Sequence, residues 1–181
     1  MKKIMFITTS PTVGGNGDTV IEEAMDAAKV QGAEVARINI RDRQISPCKA
    51  CLACTATGEC CQKDDFPAIL QALKDCDGVI AEAPIYFNNL AGQAVTLIDR
   101  FVCIFSPEYK SGKEKKLGII LTFGGSDPAA MEKIPFAMLG FFKQIMERRT
   151  VLFSNLQDKN SCRNSEKYLS EARELGEWIV E

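Results

Sequence analysis

Lys3-Ile4-Met5-Phe6-Ile7-Thr8, followed by Thr9-Ser10-Pro11-Thr12-Val13-Gly14-Gly15-Asn16-Gly17-Asp18-Thr19, is the stretch from which the fold of this chain can be read. A short apolar run without polar alternation is the pattern of a strand covered on both faces. It leads through a loop of hydroxyl residues and glycines into Ile21, Ala24, Met25 and Ala28, which stand at i, i+3, i+4 and i+7 of an amphipathic helix. Strand, glycine-rich turn and helix in that order open a parallel α/β sheet.

The same alternation continues to the end of the chain. Glu34–Ile40, Gly78–Ala83, Leu117–Phe123 and Thr150–Phe153 read as four further strands. Helical spacing recurs at Phe66, Ile69, Leu70 and Leu73, at Ala94, Leu97, Ile98 and Phe101, and at Met138, Phe141, Phe142 and Ile145. A last helix follows from Tyr168, Ala172, Leu175 and Ile179. Five strands alternating with five helices predict right-handed crossovers and one doubly wound α/β domain over residues 1–181, with no repeat or linker. In such a sheet, ligands bind beyond the C-terminal strand ends.

Composition narrows the function. The 181 residues are 46% hydrophobic and 25% charged, as in an ordinary globular domain, and the net charge of −2 argues against a dedicated nucleic-acid binder. There is no histidine, which removes imidazole bases and histidine metal ligands from consideration. No run approaches the roughly 18 apolar residues of a membrane helix, and Met1-Lys2-Lys3 leads into too short an apolar stretch for a signal peptide. A soluble, cytoplasmic protein is expected.

The loop after the first strand can hold a phosphate: glycines let amides converge, hydroxyls donate, and the helix dipole favours an anion. Its spacing matches neither a P-loop nor the three-glycine dinucleotide fingerprint, which points to a monophosphate such as that of flavin mononucleotide (FMN). The alternative is a plain glycine-rich turn, with Asp18 as a helix N-cap. After the third strand, Ala83-Pro84-Ile85-Tyr86-Phe87-Asn88 is apolar and aromatic where a loop should face solvent. It suits a platform for a flat ring, with Asn88 as a polar handle, or packing against a neighbouring subunit. After the fourth strand, Thr122-Phe123-Gly124-Gly125-Ser126 permits close backbone approach to a ligand.

Five of the eight cysteines lie between Cys48 and Cys61, in a cysteine-rich insertion at about 41–63. Cys48, Cys51, Cys54 and Cys60 follow the spacing Cys-x2-Cys-x2-Cys-x5-Cys, with Cys61 a spare and Gly58 a reversal that would bring Cys60 back. Four thiolates in this arrangement suit a 4Fe-4S cluster; zinc, a redox disulfide and free thiols are the rivals. Cys76, Cys103 and Cys162 are isolated, and small buried hydrophobes are the default for Cys76 and Cys103. Asp64-Asp65 reads as a helix cap and Asp99-Arg100 as a structural ion pair. Lys110, Lys113, Lys115 and Lys116 read as a solvated loop, or else as a docking patch for an acidic redox partner or a nucleotide phosphate.

Taken together, Ser10-Pro11, Pro47-Cys48-x2-Cys51-x2-Cys54 with Gly58-x-Cys60 and Asp64-Asp65, Ala83-Pro84-Ile85-Tyr86-Phe87, and Ile98-Asp99-Arg100 resemble the iron-sulfur flavoproteins, within the NAD(P)H-dependent FMN reductase group. The resemblance covers nearly the whole chain. It implies a flavodoxin-like fold with strand order 2-1-3-4-5, FMN at the strand ends, a 4Fe-4S cluster on the compact cysteine motif, and a homodimer or homotetramer. Carried over by position, it places Ser10, Thr12, Asn16, Asp18 and Thr19 on the phosphate. Pro84, Ile85, Tyr86, Phe87 and Asn88, with Thr122, Gly124 and Gly125, fall on ribityl and ring. Two departures stand out: the phosphate loop is longer than usual and lacks the common basic residue, and Asp18 replaces the more usual Asn.

The implied activity is electron transfer between a reduced donor, such as ferredoxin or NAD(P)H, and an acceptor such as a quinone, with no side-chain acid or base required because the flavin carries the chemistry. The alternatives are a clusterless NAD(P)H-dependent FMN or quinone reductase and a non-enzymatic metal or flavin binding module.

Overall fold

The computed structural model describes residues 1–107, 113–125, 131 and 145–181. Strands β1 (Lys3–Thr8), β2 (Glu34–Asn39), β3 (Gly78–Tyr86), β5 (Lys115–Thr122) and β6 (Ile145–Phe153) form one parallel sheet in the order β2-β1-β3-β5-β6. The two-residue β4 (Asn89–Leu90) pairs antiparallel with the end of β3. Counting the five parallel strands alone, this is the expected order 2-1-3-4-5. Among the described residues lie the helices α1 (Asn16–Val30), the single turn α2 (Cys54–Thr57), α3 (Phe66–Asp75), α4 (Gly92–Asp99) and α5 (Glu166–Trp178).

The two faces of the sheet explain the unbroken apolar strands. Ile4, Phe6, Ile80, Ile120 and Phe153 pack on one face with Val20, Ile21 and Ala24 of α1 and Ala172, Leu175 and Trp178 of α5. Met5, Ile7, Val79, Ile119 and Leu121 face the other way, against Phe66, Ile69 and Leu70 of α3 and Ala94 and Leu97 of α4. Successive residues of a strand point to opposite sides, so each central strand contributes to both cores. Burying each large side chain contributes about 1.5–3 kcal/mol.

Several boundaries move. β3 runs three residues beyond Ala83, so Pro84, Ile85 and Tyr86 are strand rather than loop. Phe101 leaves the helical pattern and begins, with Arg100, a 3-10 segment through Phe105. Ile145, read as helical, opens β6; Met138, Phe141 and Phe142 lie outside the described residues, as do Lys110 and Ser126. Lys115 and Lys116 belong to β5 at the N-terminal edge of the sheet. There Lys115 Nζ donates to Cys76 O at 2.5 Å and Lys74 O at 3.1 Å, Lys116 Nζ donates to Trp178 O at 3.3 Å, and Lys113 pairs with Asp77. These three lysines are bound to the fold at the edge opposite the glycine-rich loop.

Candidate functional site

The glycine-rich loop leaves β1 at Thr8, which pairs with Asn39 of β2 on one side and Glu82 of β3 on the other. Helix α1 starts from Gly15 in extended conformation with no side-chain cap, so its first amides are not closed by a serine or aspartate. Asp18 is therefore not the N-cap expected. It lies within the first turn, and its carboxylate reaches back to the Gly14 amide at 2.7 Å. Both Nη atoms of Arg41 also donate to it, at 3.0 Å each, and Arg37 Nη2 makes a further short ion pair. Burial alone would raise the Asp18 carboxyl; the Arg41 bonds, the Gly14 amide and the two positive charges outweigh it and hold the group below the usual carboxylate range.

The other residues expected on a phosphate divide into two groups. Ser10 and Thr12 stay in the loop, where the Ser10 hydroxyl accepts from the Thr12 amide at 3.2 Å. Asn16 and Thr19 are turned to protein partners. Asn16 Nδ2 donates to Asp158 O at 2.6 Å while its Oδ1 accepts from the Cys162 amide at 2.8 Å, and the Thr19 hydroxyl donates to Gly15 O at 3.1 Å.

Beneath the loop lies a residue the sequence reading passed over. Glu82 is completely buried in β3, and Thr8 Oγ1 and Thr122 Oγ1 donate to its carboxyl at 2.6 and 3.0 Å. Thr122 is thus buried, with its hydroxyl on Glu82. Burial raises the Glu82 carboxyl, the Asp18 charge adds to the rise, and the bonds from Thr8, Thr122 and the Ser10 amide offset only part of it. A side chain at Gly17 would place Cβ 2.5 Å from the Glu82 carboxyl, so the loop closes over this acid only because that position has no side chain. The backbone of Glu82 also holds the loop, its carbonyl accepting from the Thr9 amide at 3.0 Å and the Thr9 hydroxyl at 3.1 Å.

At the end of β3, Phe87 and Asn88 form the two-residue turn into β4 with φ of 50° and 59°. Such a turn favours Asn-Gly, and a bulky aromatic there is strained. Phe87 is also fully exposed and Tyr86 half-exposed, so strain and exposed aromatic surface coincide at one tip. Pro84 and Ile85 are buried beneath it. Gly124 and Gly125 are exposed after β5, and nothing lies within 4 Å of where a Gly125 Cβ would be. A separate groove of about 470 Å³ runs between Arg149–Leu152 of β6 and Glu171, Glu174 and Leu175 of α5; no residue of these loops lines it.

The cysteine segment leaves β2 through a 3-10 turn, Ile40–Asp42. Ala50 and Leu52 adopt φ of 52° and 58°, and Gly58 supplies the left-handed reversal after α2 that the spacing predicted. Asp64 and Asp65 tie the segment's two ends together: Asp65 Oδ2 accepts from the Gln44 amide at 2.7 Å, and Asp64 Oδ2 from the Ser46 amide at 3.0 Å. Asp64 Oδ1 also accepts from the Phe66 amide at 3.1 Å, so the capping role falls to Asp64, whereas Asp65 makes no cap bond. The expected Asp99–Arg100 pair is replaced by Arg100–Asp64, at 2.5 and 3.1 Å.

Arg100 is wholly buried over the Phe66 ring. It also donates to Ser46 O at 2.8 Å and to the Cys60 sulfur at 3.2 Å. Cys51 and Cys61 Sγ are 3.5 Å apart, and the Ala50 amide donates to Cys48 Sγ at 3.4 Å. Cys54 is buried, and its thiol is raised by burial first and then by Cys60, Cys48 and Cys51 around it. Among the described residues no three Cys, Asp or Glu side chains close into a metal-binding group. In chemistry, the donor set of clustered thiols suits iron or zinc.

The loop and sheet define a class: a flavodoxin-like α/β protein with a glycine-rich loop at the C-terminal edge of its first strand. Residues 2–153 match the family described as NADPH-dependent FMN reductase, and the chain belongs to that family of flavin oxidoreductases. It is 34% identical over 131 residues to an iron-sulfur flavoprotein of Methanosarcina thermophila, covering 72% of this chain and 68% of that one. An iron-sulfur flavoprotein of Methanocaldococcus jannaschii is 28% identical over 192 residues, covering 99% and 96%. Among solved structures, an NAD(P)H:quinone oxidoreductase from Methanothermobacter marburgensis superimposes with a TM-score of 0.79 at 13% identity, over 99% of this chain and 96% of that one. An FMN-dependent NADH-azoreductase from Bacillus anthracis, in complex with FMN, gives 0.74 at 14% identity over the full length of both. These structural likenesses establish the fold.

Proposed function

We propose that this flavin oxidoreductase binds FMN at the C-terminal edge of the sheet and a 4Fe-4S cluster on Cys48, Cys51, Cys54 and Cys60, passing electrons between a reduced donor and an acceptor. One observation supports the pairing most directly. The glycine-rich loop and the cysteine segment leave neighbouring strands at the paired residues Thr8 and Asn39, and Arg41 from the start of the cysteine segment touches the loop. The fit to a phosphate rests on Asp18, whose carboxylate acts as a stand-in anion held by an amide and two guanidiniums. When bound, FMN would exchange electrons in pairs or singly, and the cluster one at a time.

The chain's own residues would do the holding. The Ser10–Thr19 loop would seat the phosphate. The Tyr86–Asn88 tip and the Gly124-Gly125 turn would flank ribityl and ring, and the tip is also suited to contact with a second subunit in a homodimer or homotetramer. Cys60 is fixed by Arg100, which orients its sulfur without consuming it. NAD(P)H, a ferredoxin or a quinone are the partners this arrangement would serve.

Oxygen-free purification with assays of flavin, iron and acid-labile sulfide, and visible spectra before and after reduction, tests the reading. Near-equal flavin and cluster content per chain is expected. Flavin without labile sulfide would replace it with a clusterless reductase, and material holding neither chromophore after reconstitution would overturn it.

A further inference from the structure

A phosphate monoester carries about 1.5 to 2 negative charges at neutral pH. Residues 9–19 contain no lysine or arginine, and Asp18 adds a negative charge of its own. The cation comes instead from another element. Arg41, in the 3-10 turn after β2, donates through Nη1 to Ser10 O at 3.3 Å, to Thr12 O at 3.5 Å and to Asp18 Oδ1 at 3.0 Å, and through Nη2 to Asp18 Oδ2 at 3.0 Å. Its guanidinium is thereby fixed against the main chain of the loop. Of its five N–H groups, Nε–H and the second Nη2–H make no hydrogen bond among the described residues.

Arg37 has a different balance, since it is shared among Asp18, Glu22 and Asn39. Asp18 therefore keeps one cation even when Arg41 turns its outer edge to another anion. A planar guanidinium offers paired donors that match phosphate oxygens, which a lone ammonium does not.

We propose that Arg41 is the phosphate-recognising cation of the flavin site and the residue by which this chain distinguishes FMN from riboflavin; this rests on the flavin reading above. The test measures dissociation constants of FMN and riboflavin for the flavin-free full chain by quenching of flavin fluorescence, in wild type, Arg41→Gln, Arg41→Lys and Arg43→Gln. Arg43 is an exposed neighbour whose loss changes the net charge equally.

Arg41→Gln should weaken FMN about tenfold to a hundredfold while leaving riboflavin within about twofold. Arg41→Lys should recover part of the loss, and Arg43→Gln should change neither. In wild type, FMN binding should weaken with added salt more steeply than riboflavin binding, a comparison that holds even if a variant folds poorly. Equal losses of both flavins in Arg41→Gln, or an equal effect of Arg43→Gln, would overturn the role of Arg41 and leave the flavin reading standing. Wild-type protein that binds neither flavin would overturn both.

Discussion

Glu82 occupies the position in β3 where the sheet meets the glycine-rich loop, and its environment is in tension. Two threonine hydroxyls hold the carboxyl, yet burial favours its neutral form. A carboxyl whose folded pKa is raised contributes stability below its unfolded pKa of about 4.5, and that contribution is lost as pH rises toward the folded value. Asp18 and Asp64 have the opposite sign: both are held below 3.8, so their contributions are present above that value and vanish in stronger acid. Above about pH 4.5, Glu82 is the one of these three carboxyls whose contribution changes. Glu82→Gln should stabilise the flavin-free protein by about 1–3 kcal/mol at pH 8 and by much less at pH 5, measured by urea unfolding at both values. An equal effect at the two pH values would show that the carboxyl does not titrate across this range.

At the scale of elements, the contact between α1 and α5 is set by a missing side chain. A Cβ on Gly176 would sit 2.1 Å from the carbonyl oxygen of Ala24, and backbone cannot move aside as a flexible side chain can. Gly176→Ala should therefore separate two helices that cover one face of the sheet and cost about 1–3 kcal/mol, read as a lower urea midpoint at unchanged m-value. An unchanged midpoint would mean the helices slide apart without loss. The amphipathic spacing of Ile21, Ala24 and Ala28 and of Ala172, Leu175 and Ile179 already marked these buried faces. It did not mark Gly176, because a glycine at a helix crossing carries no periodic signal.

For the whole molecule, burial sorts the eight thiols. Cys103 and Cys162 are pushed up to about 12, by burial first and then by nearby thiols or Glu82, whereas Cys51 and Cys61 are exposed. The Ala53 backbone and then Cys61 lower the Cys51 thiol, and hydrogen bonding with Cys51 raises Cys61. In metal-free protein at pH 8, iodoacetamide should modify Cys51 first. Cys103 and Cys162 should react only on unfolding, as followed by peptide mass spectrometry. Comparable rates at Cys51 and Cys103 would contradict the complete burial of Cys103 in the 3-10 segment after α4. No helix among the described residues is long and apolar enough to cross a membrane.

The alternation of strands and helices, the two apolar cores, the cysteine spacing and the glycine reversal at Gly58 could be read from sequence because each is written in neighbouring residues: periods of two and 3.6, or fixed gaps between like side chains, whereas the strand order followed from the family resemblance. Where β3 ends could not, since Pro84 to Tyr86 are as apolar as strand and as aromatic as a binding loop. Charge partners were likewise beyond reach. Arg41 meets Asp18 from 23 residues away, Arg100 meets Asp64 from 36, and Thr8 meets Glu82 from 74. Those meetings depend on which strands lie side by side, and a charge in sequence has no means of stating which opposite charge the fold will bring to it.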